Sequence, residues 1–171
     1  MAAVPETPAS VRAPWPLTVA TYNIHAAVGR DGRYAPDRII DVLHELQADI
    51  IALQEVPLGG TQWDNVLTML TDATGYEAAE GPACDTPERR YGNAVLSRFP
   101  ILSVRAIDLS FGSREPRGAL DADVDCGGDL LRVVATHLGL RPAERRHQIR
   151  RLLDAFDTDE MPVILMGDIN E

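Results

Sequence analysis

The stretch ALDADVDCGGDLLRVVATH, residues 119–137, decides the fold class. Its first half alternates apolar and acidic side chains, which is typical of a β-strand with one wet face. The Gly-Gly pair in its middle predicts a tight hairpin into a second strand over 130–137. An amphipathic helix over 142–156 and a short apolar strand over 163–166 are predicted next. Because hairpins mix with helical crossovers, the pattern favours a mixed-sheet α/β sandwich over a doubly wound parallel sheet.

The upstream sequence predicts the other elements of this sandwich. Strands are predicted over 17–23, 49–55, 76–80, 93–97 and 102–109, and helices over 36–47 and 63–74. The first of these helices carries its apolar side chains on one face, at spacings of three and four. Residues 1–16 contain four prolines and no periodicity, so we predict a flexible leader, followed by one domain over 17–171.

The composition indicates a folded, acidic protein. The 171 residues include 26 acidic and 16 basic side chains, giving a formal net charge of −10. No apolar stretch approaches the roughly 20 residues that span a bilayer, and the opening residues lack the apolar block of a signal peptide. Cys84 and Cys126 are too few for a disulfide scaffold. We therefore expect a cytoplasmic protein with no transmembrane segment.

Polar side chains recur where the apolar strands end: Asn23, Glu55, His137, Asp168 and Asn170. Each one alone has an ordinary explanation, since strand ends re-enter water and Asp-x-Asn after glycine is a frequent turn. Together they form an oxygen-rich set without clustered cysteine or histidine. Such a set suits a hard cation, Mg²⁺ or Mn²⁺, better than zinc.

Five short motifs carry a family resemblance. They are TYNIH at 21–25, LQEV at 53–56, YGNAVLSRFPI at 91–101, ATHLGL at 135–140 and MGDINE at 166–171. In this order the chain resembles the endonuclease/exonuclease/phosphatase superfamily, the metal-dependent phosphoesterases related to pancreatic deoxyribonuclease, neutral sphingomyelinase and inositol polyphosphate 5-phosphatases. The resemblance covers about residues 17–171. It implies a four-layer α/β sandwich of two mixed sheets flanked by helices, and metal-assisted hydrolysis of a phosphoester.

The resemblance also implies roles for the strand-end residues. Glu55 would bind Mg²⁺ or Mn²⁺, and the carbonyl oxygen of Asn23 would ligate the metal or orient a bound water. Asp168 would position and deprotonate the attacking water. Asn170 and His137 would donate hydrogen bonds to phosphate oxygens.

Three further residues are predicted to bind substrate or support the site. Asn93 is expected to be an amide of the inner cleft, and Gln148 a partner behind the directly acting residues. Arg117, in EPRGAL, could hold a second phosphate oxygen through its planar guanidinium. An ordinary surface arginine is the alternative for that position.

The sequence departs from the family pattern after Asn170. Family members normally continue past the GDxN motif to a Ser-Asp-His motif, whereas this sequence stops at Glu171 and holds no other Asp-His pair. The other histidines lie in the wrong sequence contexts to substitute: His25, His44 and His147. We therefore expect an incomplete domain without its C-terminal strands, an unpaired edge on the strand over 163–166, and turnover near background.

Three functions remain open on the sequence. The acidic balance and the absence of lysine favour a small or lipid-derived phosphodiester as substrate. Four arginines that could rim a phosphate-rich site keep a DNA or RNA nuclease open: Arg30, Arg33, Arg89 and Arg90. A non-catalytic fragment or binding module is the third function, since such a polar set can bind Mg²⁺ without turnover.

Overall fold

Two four-stranded mixed sheets face each other in the computed structural model, which describes residues 16–61, 64–155 and 161–171. The strands are β1 (Val19–Asn23), β2 (Ile50–Gly59), β3 (Glu77–Asp85), β4 (Arg90–Ser97), β5 (Ile101–Asp108), β6 (Gly118–Asp125), β7 (Leu130–His137) and β8 (Val163–Asp168). The helices are α1 (Pro36–Leu46), α2 (Val66–Thr74) and α3 (Pro142–Ala155). The strand orders are β1-β2-β4-β3 and β5-β6-β7-β8. The predicted leader up to residue 15, together with Trp63 and Phe156, lies outside the described residues.

The parallel pairs in each sheet bring four strand ends together. β1 is parallel to β2, with Asn23 opposite Gln54, and β7 is parallel to β8, with His137 opposite Asp168. β1 and β8 are edge strands of their respective sheets and pack against one another across the sandwich. The carboxyl ends of these four strands therefore lie at one end of the molecule.

Three apolar layers hold the sandwich together. The inner faces of the two sheets meet in a core that includes Ile50, Val95, Leu120 and Val133. Helices α1 and α2 pack on the outer face of the first sheet, and α3 packs on the outer face of the second. The predicted four-layer α/β sandwich is confirmed. None of the helices in the described part of the chain is long and apolar enough to cross a bilayer.

Helix α3 buries a different face from the predicted one. The sequence predicts Ile149, Leu152 and Leu153 on one buried stripe, but Ile149 is 41% exposed and Leu153 is 65% exposed. The helix buries Glu144, Gln148 and Leu152 instead. Polar side chains are tolerated on this face because they find hydrogen-bond partners there, as Gln148 does with Gly139 N–H.

The acidic face of β6 is also less wet than predicted. Asp121 is only 4% exposed, because Arg105 on β5 and Arg132 on β7 lie across it. Arg105 Nη2 is 3.0 Å from Asp121 Oδ1 and 2.9 Å from Asp123 Oδ1. Arg132 Nε is 3.2 Å from the same Asp123 oxygen. These four residues form what we call the strand ion-pair network.

Candidate active site

Five predicted side chains meet where β1, β7 and β8 finish, beside the middle of β2, which continues past Glu55 to Gly59. Asn23 Nδ2 donates to Glu55 Oε1 and to Asp168 Oδ2, both at 3.0 Å. His137 Nε2 is 3.0 Å from Asn170 Nδ2 and 3.8 Å from Asp168 Oδ2. We call Asn23, Glu55, His137, Asp168 and Asn170 the strand-end cluster.

A β-bulge points Glu55 into the cluster. Pairing between β2 and β4 passes from Leu53–Ala94 directly to Val56–Gly92, so Gln54 and Glu55 share one opposing position. Glu55 has φ of 57°, a left-handed conformation that side-chain-bearing residues adopt rarely. Bulges of this kind commonly re-aim a side chain beside an active site.

Glu55 is held as a carboxylate by several donors. It accepts hydrogen bonds from Asn23 and from the hydroxyl of Tyr91, and His25 Nδ1 lies 3.1 Å from its Oε2. Burial raises the pKa of Glu55, but the hydrogen bonds from Asn23 and Tyr91 and the nearby His137 and His25 outweigh it, so the net pKa is lowered. Glu55 is therefore ionised at neutral pH.

Asn23 is oriented differently from the expectation. Its carbonyl oxygen accepts the backbone N–H of His25 at 2.9 Å, and a backbone N–H can only donate. Its NH₂ group must therefore face Glu55 and Asp168, which accept from it. In this arrangement Asn23 is a donor that holds two carboxylates together, and one lone pair of its oxygen is taken by the backbone N–H of His25.

The hydrogen bonds of Asn170 indicate which ring nitrogen of His137 carries the proton. Asn170 Nδ2 donates to Leu138 O at 2.7 Å, which fixes its NH₂ group toward His137 Nε2. That ring nitrogen must then accept, so the proton of the neutral imidazole lies on Nδ1. Burial and the nearby Arg117 lower the pKa of His137, despite the opposing effect of Asp168 and Glu55. The two amide hydrogens of Asn170 thus point at Leu138 O and His137 Nε2, and its contact with a phosphate oxygen stays a prediction.

Asp168 is the second ionised carboxylate of the cluster. Its Oδ1 accepts the backbone N–H of Asn170 at 3.0 Å. Burial raises the pKa of Asp168, but the hydrogen bonds from Asn23 and Asn170, with the nearby His137 and Arg117, bring it below its usual value. Two adjacent carboxylates therefore carry negative charge around one amide.

Arg117 and Asn93 lie beside the cluster, as predicted for inner-cleft residues. Both line a small cavity together with Glu55, Tyr91 and His137. Arg117 is buried, pairs with Glu115 at 3.0 Å, and its Nε has no hydrogen-bond partner among the described residues. It is therefore not an ordinary surface arginine. Asn93 Nδ2 donates to Gly118 O at 2.8 Å and so ties β4 to the start of β6.

Gln148 does not reach the cluster. It is fully buried, accepts from Gly139 N–H, and donates to Leu109 O at 3.2 Å. A side chain with its amide enclosed in this way does not touch a substrate directly, and the role of a partner behind the directly acting residues stays a prediction. Gln148 instead fixes the loop after β7, whose Leu138 carbonyl holds Asn170.

The structure adds three residues to the predicted site: Tyr91, His25 and Gln54. Tyr91 and His25 contact Glu55 and lie within the YGNAVLSRFPI and TYNIH motifs, so their motif membership was the available signal. Gln54 is 1% exposed, and its Nε2 has no partner among the described residues. It lines a second cavity, of about 360 Å³, beside Asp168. Its position next to Glu55 in LQEV gave no hint of this.

The carboxylates of the strand-end cluster suit a hard cation that has few protein ligands. No three His, Cys, Asp or Glu side chains of the described residues converge as a metal cage. Mg²⁺ does not need such a cage, because it keeps several waters and is bound through one or two carboxylates and substrate phosphates. An ionised, half-buried Glu55 fits that mode of binding.

Comparisons with known proteins agree with this geometry. Residues 20–171 match the Endonuclease/Exonuclease/phosphatase family. YbhP of Escherichia coli K12, named as uncharacterized, is 33% identical over 167 residues, covering 90% of this chain and 66% of YbhP. A family structure from Beutenbergia cavernae superposes with a TM-score of 0.73 at 29% identity, covering 90% of this chain and 47% of that one. The mannosyl-6-phosphatase Bt3783 of Bacteroides thetaiotaomicron shares the fold, with a TM-score of 0.74 at 21% identity over 90% of this chain and 65% of its own.

This chain matches only part of the length of these relatives. The chain spans about two thirds of the length of YbhP and about half of the Beutenbergia cavernae protein. Within that span residues 20–171 match the family and the fold agrees with that of the Beutenbergia cavernae structure. The chain therefore belongs to the endonuclease/exonuclease/phosphatase family, whose enzymes hydrolyse phosphoester bonds and generally use divalent metal ions.

Proposed function

We propose that the strand-end cluster binds Mg²⁺, or Mn²⁺ in its place, and serves the hydrolysis of a phosphodiester of a small or lipid-derived alcohol. One observation carries the proposal: two ionised carboxylates, Glu55 and Asp168, are joined by the amide of Asn23 beside a neutral His137. This arrangement supplies a cation anchor, a group that can orient water, and a hydrogen-bond donor within one cluster.

Glu55 would hold the cation, and Asn23 would keep Glu55 and Asp168 in place from behind. Bound there, the metal would polarise the phosphoryl group and stabilise the leaving oxygen. Asp168 accepts a hydrogen bond from the attacking water and directs its lone pair at phosphorus. Because the pKa of Asp168 is lowered, it acts as an orienting acceptor at neutral pH rather than as a strong base.

Arg117 and His137 would bind the phosphate oxygens on the protein side. The guanidinium of Arg117 is buried and keeps one Nε–H without a partner among the described residues. His137 keeps its proton on Nδ1, and its other nitrogen is engaged by Asn170. Donors fixed before the reaction stabilise charge as it develops on the phosphoryl oxygens.

Two other functions are compatible with the strand-end cluster: a nuclease and a non-catalytic binding module. The net charge of −10 opposes a long duplex substrate, because affinity for nucleic acid comes largely from cationic contacts to phosphates. A DNA or RNA nuclease remains the second function, since the family includes both nucleases and phosphatases. A non-catalytic, Mg²⁺-binding module is the third, because a set of carboxylates and amides can bind Mg²⁺ without turnover.

Calorimetry with Mg²⁺ on the wild type and on Glu55→Gln tests the proposal. Glutamine keeps the size of the side chain and removes the charge that holds a hard cation, so binding should be lost while the fold persists. Glu45→Gln, on the exposed face of α1, is the matched control and should bind like the wild type. Equal Mg²⁺ affinity in Glu55→Gln and wild type would overturn the assignment.

A version extended past Glu171, assayed beside the 171-residue chain, separates the three functions. Bis(4-nitrophenyl) phosphate should be cleaved in preference to plasmid DNA under the favoured function. Efficient plasmid nicking that falls steeply with added salt would indicate the nuclease. Mg²⁺ binding with turnover of neither substrate would indicate the binding module.

A further inference from the structure

A cavity of about 640 Å³ adjoins the strand-end cluster on the side of α1. Twelve residues between Tyr22 and Ile39 line it, from the end of β1, the connecting segment and the first turn of α1, and we call it the loop cavity. Asn23 and His25 line it and also contact Glu55. The loop cavity is therefore continuous with the place where the phosphoryl group would react.

The charge of the loop cavity is opposite to that of the protein. Its lining includes Arg30, Arg38 and His25 and no carboxylate. The 360 Å³ cavity on the other side of Asn23 is lined by Asp168 and Glu171 and by no basic residue. A cationic cavity in a chain with net charge −10 concentrates positive potential at one place, which favours an anionic group there.

Arg30 is the arginine of this cavity that remains available. Asp31 forms ion pairs with the two nearby arginines: Arg38 Nη2 is 3.0 Å and Arg33 Nε is 4.0 Å from Asp31 Oδ2. Arg30 makes no hydrogen bond or ion pair with the described residues, and it is exposed at the mouth of the cavity. Asp31 thus pairs with Arg33 and Arg38, and the guanidinium of Arg30 is left to bind a ligand.

The segment that carries Arg30 is a closed turn. Gly29 N–H donates to Arg33 O at 2.9 Å, and Val28 pairs with Tyr34 as an isolated bridge. At its base, Ala35 N–H donates to Ala27 O at 2.8 Å. These backbone contacts place Arg30 at the tip of a defined turn beside the cavity, so the backbone of the loop is already ordered before a ligand binds.

The walls of the loop cavity suit a carbon body. Ile24, Ala27 and Ile39 are buried apolar residues that line it. Helix α1 begins there at Pro36, and its cap residue Ala35 offers no side-chain acceptor to the first N–H groups. The uncapped N-terminus adds partial positive charge to that of the arginines.

We propose that the loop cavity receives the leaving alcohol of the substrate, and that Arg30 binds a second anionic group on that alcohol. This inference rests on the proposed function for the reacting centre and narrows its substrates to phosphodiesters whose leaving group is itself phosphorylated. Such an alcohol occurs in nucleotides and in phosphorylated glycerol headgroups. Arg30 is then a residue that determines specificity, without contact with the reacting atoms.

Binding of the leaving-group half tests the proposal without any need for turnover. The probes are thymidine 5′-phosphate and glycerol 3-phosphate, with thymidine and glycerol as their uncharged counterparts, measured by calorimetry on the 171-residue chain. Each phosphorylated probe should bind more tightly than its counterpart, and Arg30→Gln should weaken the preferred one about tenfold, equivalent to about 1.4 kcal/mol. Arg33→Gln is the matched control, because Arg33 pairs with Asp31 and does not line the cavity.

A second measurement locates the bound probe. Amide chemical shifts of Gly29 and Gly32 should move on titration, and they should still move in Arg117→Gln, where phosphate binding at the reacting centre is weakened. Unchanged affinity in Arg30→Gln, or shifts confined to Gly167 and Asn170, would overturn the proposal. The stronger of the two probes distinguishes a nucleotide from a glycerol-phosphate leaving group. A failure of Glu55→Gln to affect Mg²⁺ would refute the proposed function and leave this measurement intact.

Discussion

Two groups of acidic side chains lie at strand positions that look alike in sequence but differ in their partners. In the strand ion-pair network, Asp121 and Asp123 face the guanidinium groups of Arg105 and Arg132. In the strand-end cluster, Glu55 and Asp168 are held by Asn23, and no arginine of the described residues forms an ion pair with either one. Both groups are ordered and largely buried, yet only the first is electrically neutral.

The difference separates a structural role from a functional one. A carboxylate matched by a fixed arginine has its charge cancelled and offers little to another cation. A carboxylate held by amide donors keeps its charge, since an amide orients it without neutralising it. The cluster can therefore attract a cation that the network would repel or ignore.

Removing the shared cation of the network should give the largest change in stability. Arg105→Ala leaves Asp121 and Asp123 with Arg132 alone, and we expect a loss of about 2–3 kcal/mol in the free energy of unfolding. The loss stays below that of a fully buried pair because Arg105 is half-exposed. Urea unfolding measures it, and Mg²⁺ affinity should not change. A loss below about 0.5 kcal/mol would show that the network behaves as a surface salt bridge.

Removing the Asn23 amide from the strand-end cluster should act mainly on Mg²⁺ affinity, whereas Arg105→Ala acts on stability. In the wild type, Asn23 is the donor that aligns Glu55 with Asp168, and its hydrogen bonds lower the pKa of both carboxyl groups. Asn23→Ala removes this donor. We expect Mg²⁺ affinity to fall about 10–100-fold, the usual cost of losing a partner behind a metal ligand. Calorimetry measures this.

Asn65→Ala is the matched control for that measurement. Asn65 caps α2 by accepting the N–H of Thr68 at 3.1 Å, so its loss should cost about 1 kcal/mol of stability. Mg²⁺ affinity should be unchanged. If the two variants weaken Mg²⁺ binding equally, Asn23 has no special role in the cluster.

The pH dependence of the free energy of unfolding should show how much Asp123 contributes to the strand ion-pair network. Burial raises the pKa of Asp123, but hydrogen bonds from Arg105, Ser103 and Arg132 outweigh it and lower the pKa to about 2, from an ordinary 3.8. The resulting stabilisation is complete above the ordinary value and is lost as the pH falls through about 2. Asp123→Asn should cost about 1–2 kcal/mol at pH 7, a value reduced for solvent screening.

Unfolding free energies of the two proteins between pH 7 and pH 2 check this sign. The difference between wild type and Asp123→Asn should be constant above pH 4 and shrink below it. A difference that grows toward low pH would mean that protonated Asp123 is the stabilising form.

Local patterns were enough to predict most of the fold. The strand over 130–137 has the predicted bounds, and α2 ends at Gly75, which takes a left-handed φ of 72° as a helix stop should. Turn residues and alternation are properties of neighbouring residues, so the sequence displays them directly. The strand-end position of His137 follows from the same patterns, whereas the predicted strand end at Glu55 is wrong because β2 continues through a bulge to Gly59.

The directions of the site's hydrogen bonds could not be predicted in this way. The orientation of Asn23 depends on the N–H of His25, where three successive residues have positive φ: His25, Ala26 and Ala27. The enclosure of Gln148 depends on Leu109, 39 residues away. A periodic pattern shows which face of an element is apolar, but tertiary neighbours decide which polar atom meets which.

The bond between Asn23 and Asp168 joins residues 145 positions apart. Closing so long a loop costs entropy that local contacts cannot repay, so the site should be among the last parts of the molecule to form. During synthesis β1 and β2 emerge long before β8, so Asn23 lacks its partner Asp168 until β8 docks. An ion that binds only the assembled site draws the folding equilibrium toward that docked state. Detachment of the β8 edge and release of the ion then become a single event, which a protease attacking that edge would report.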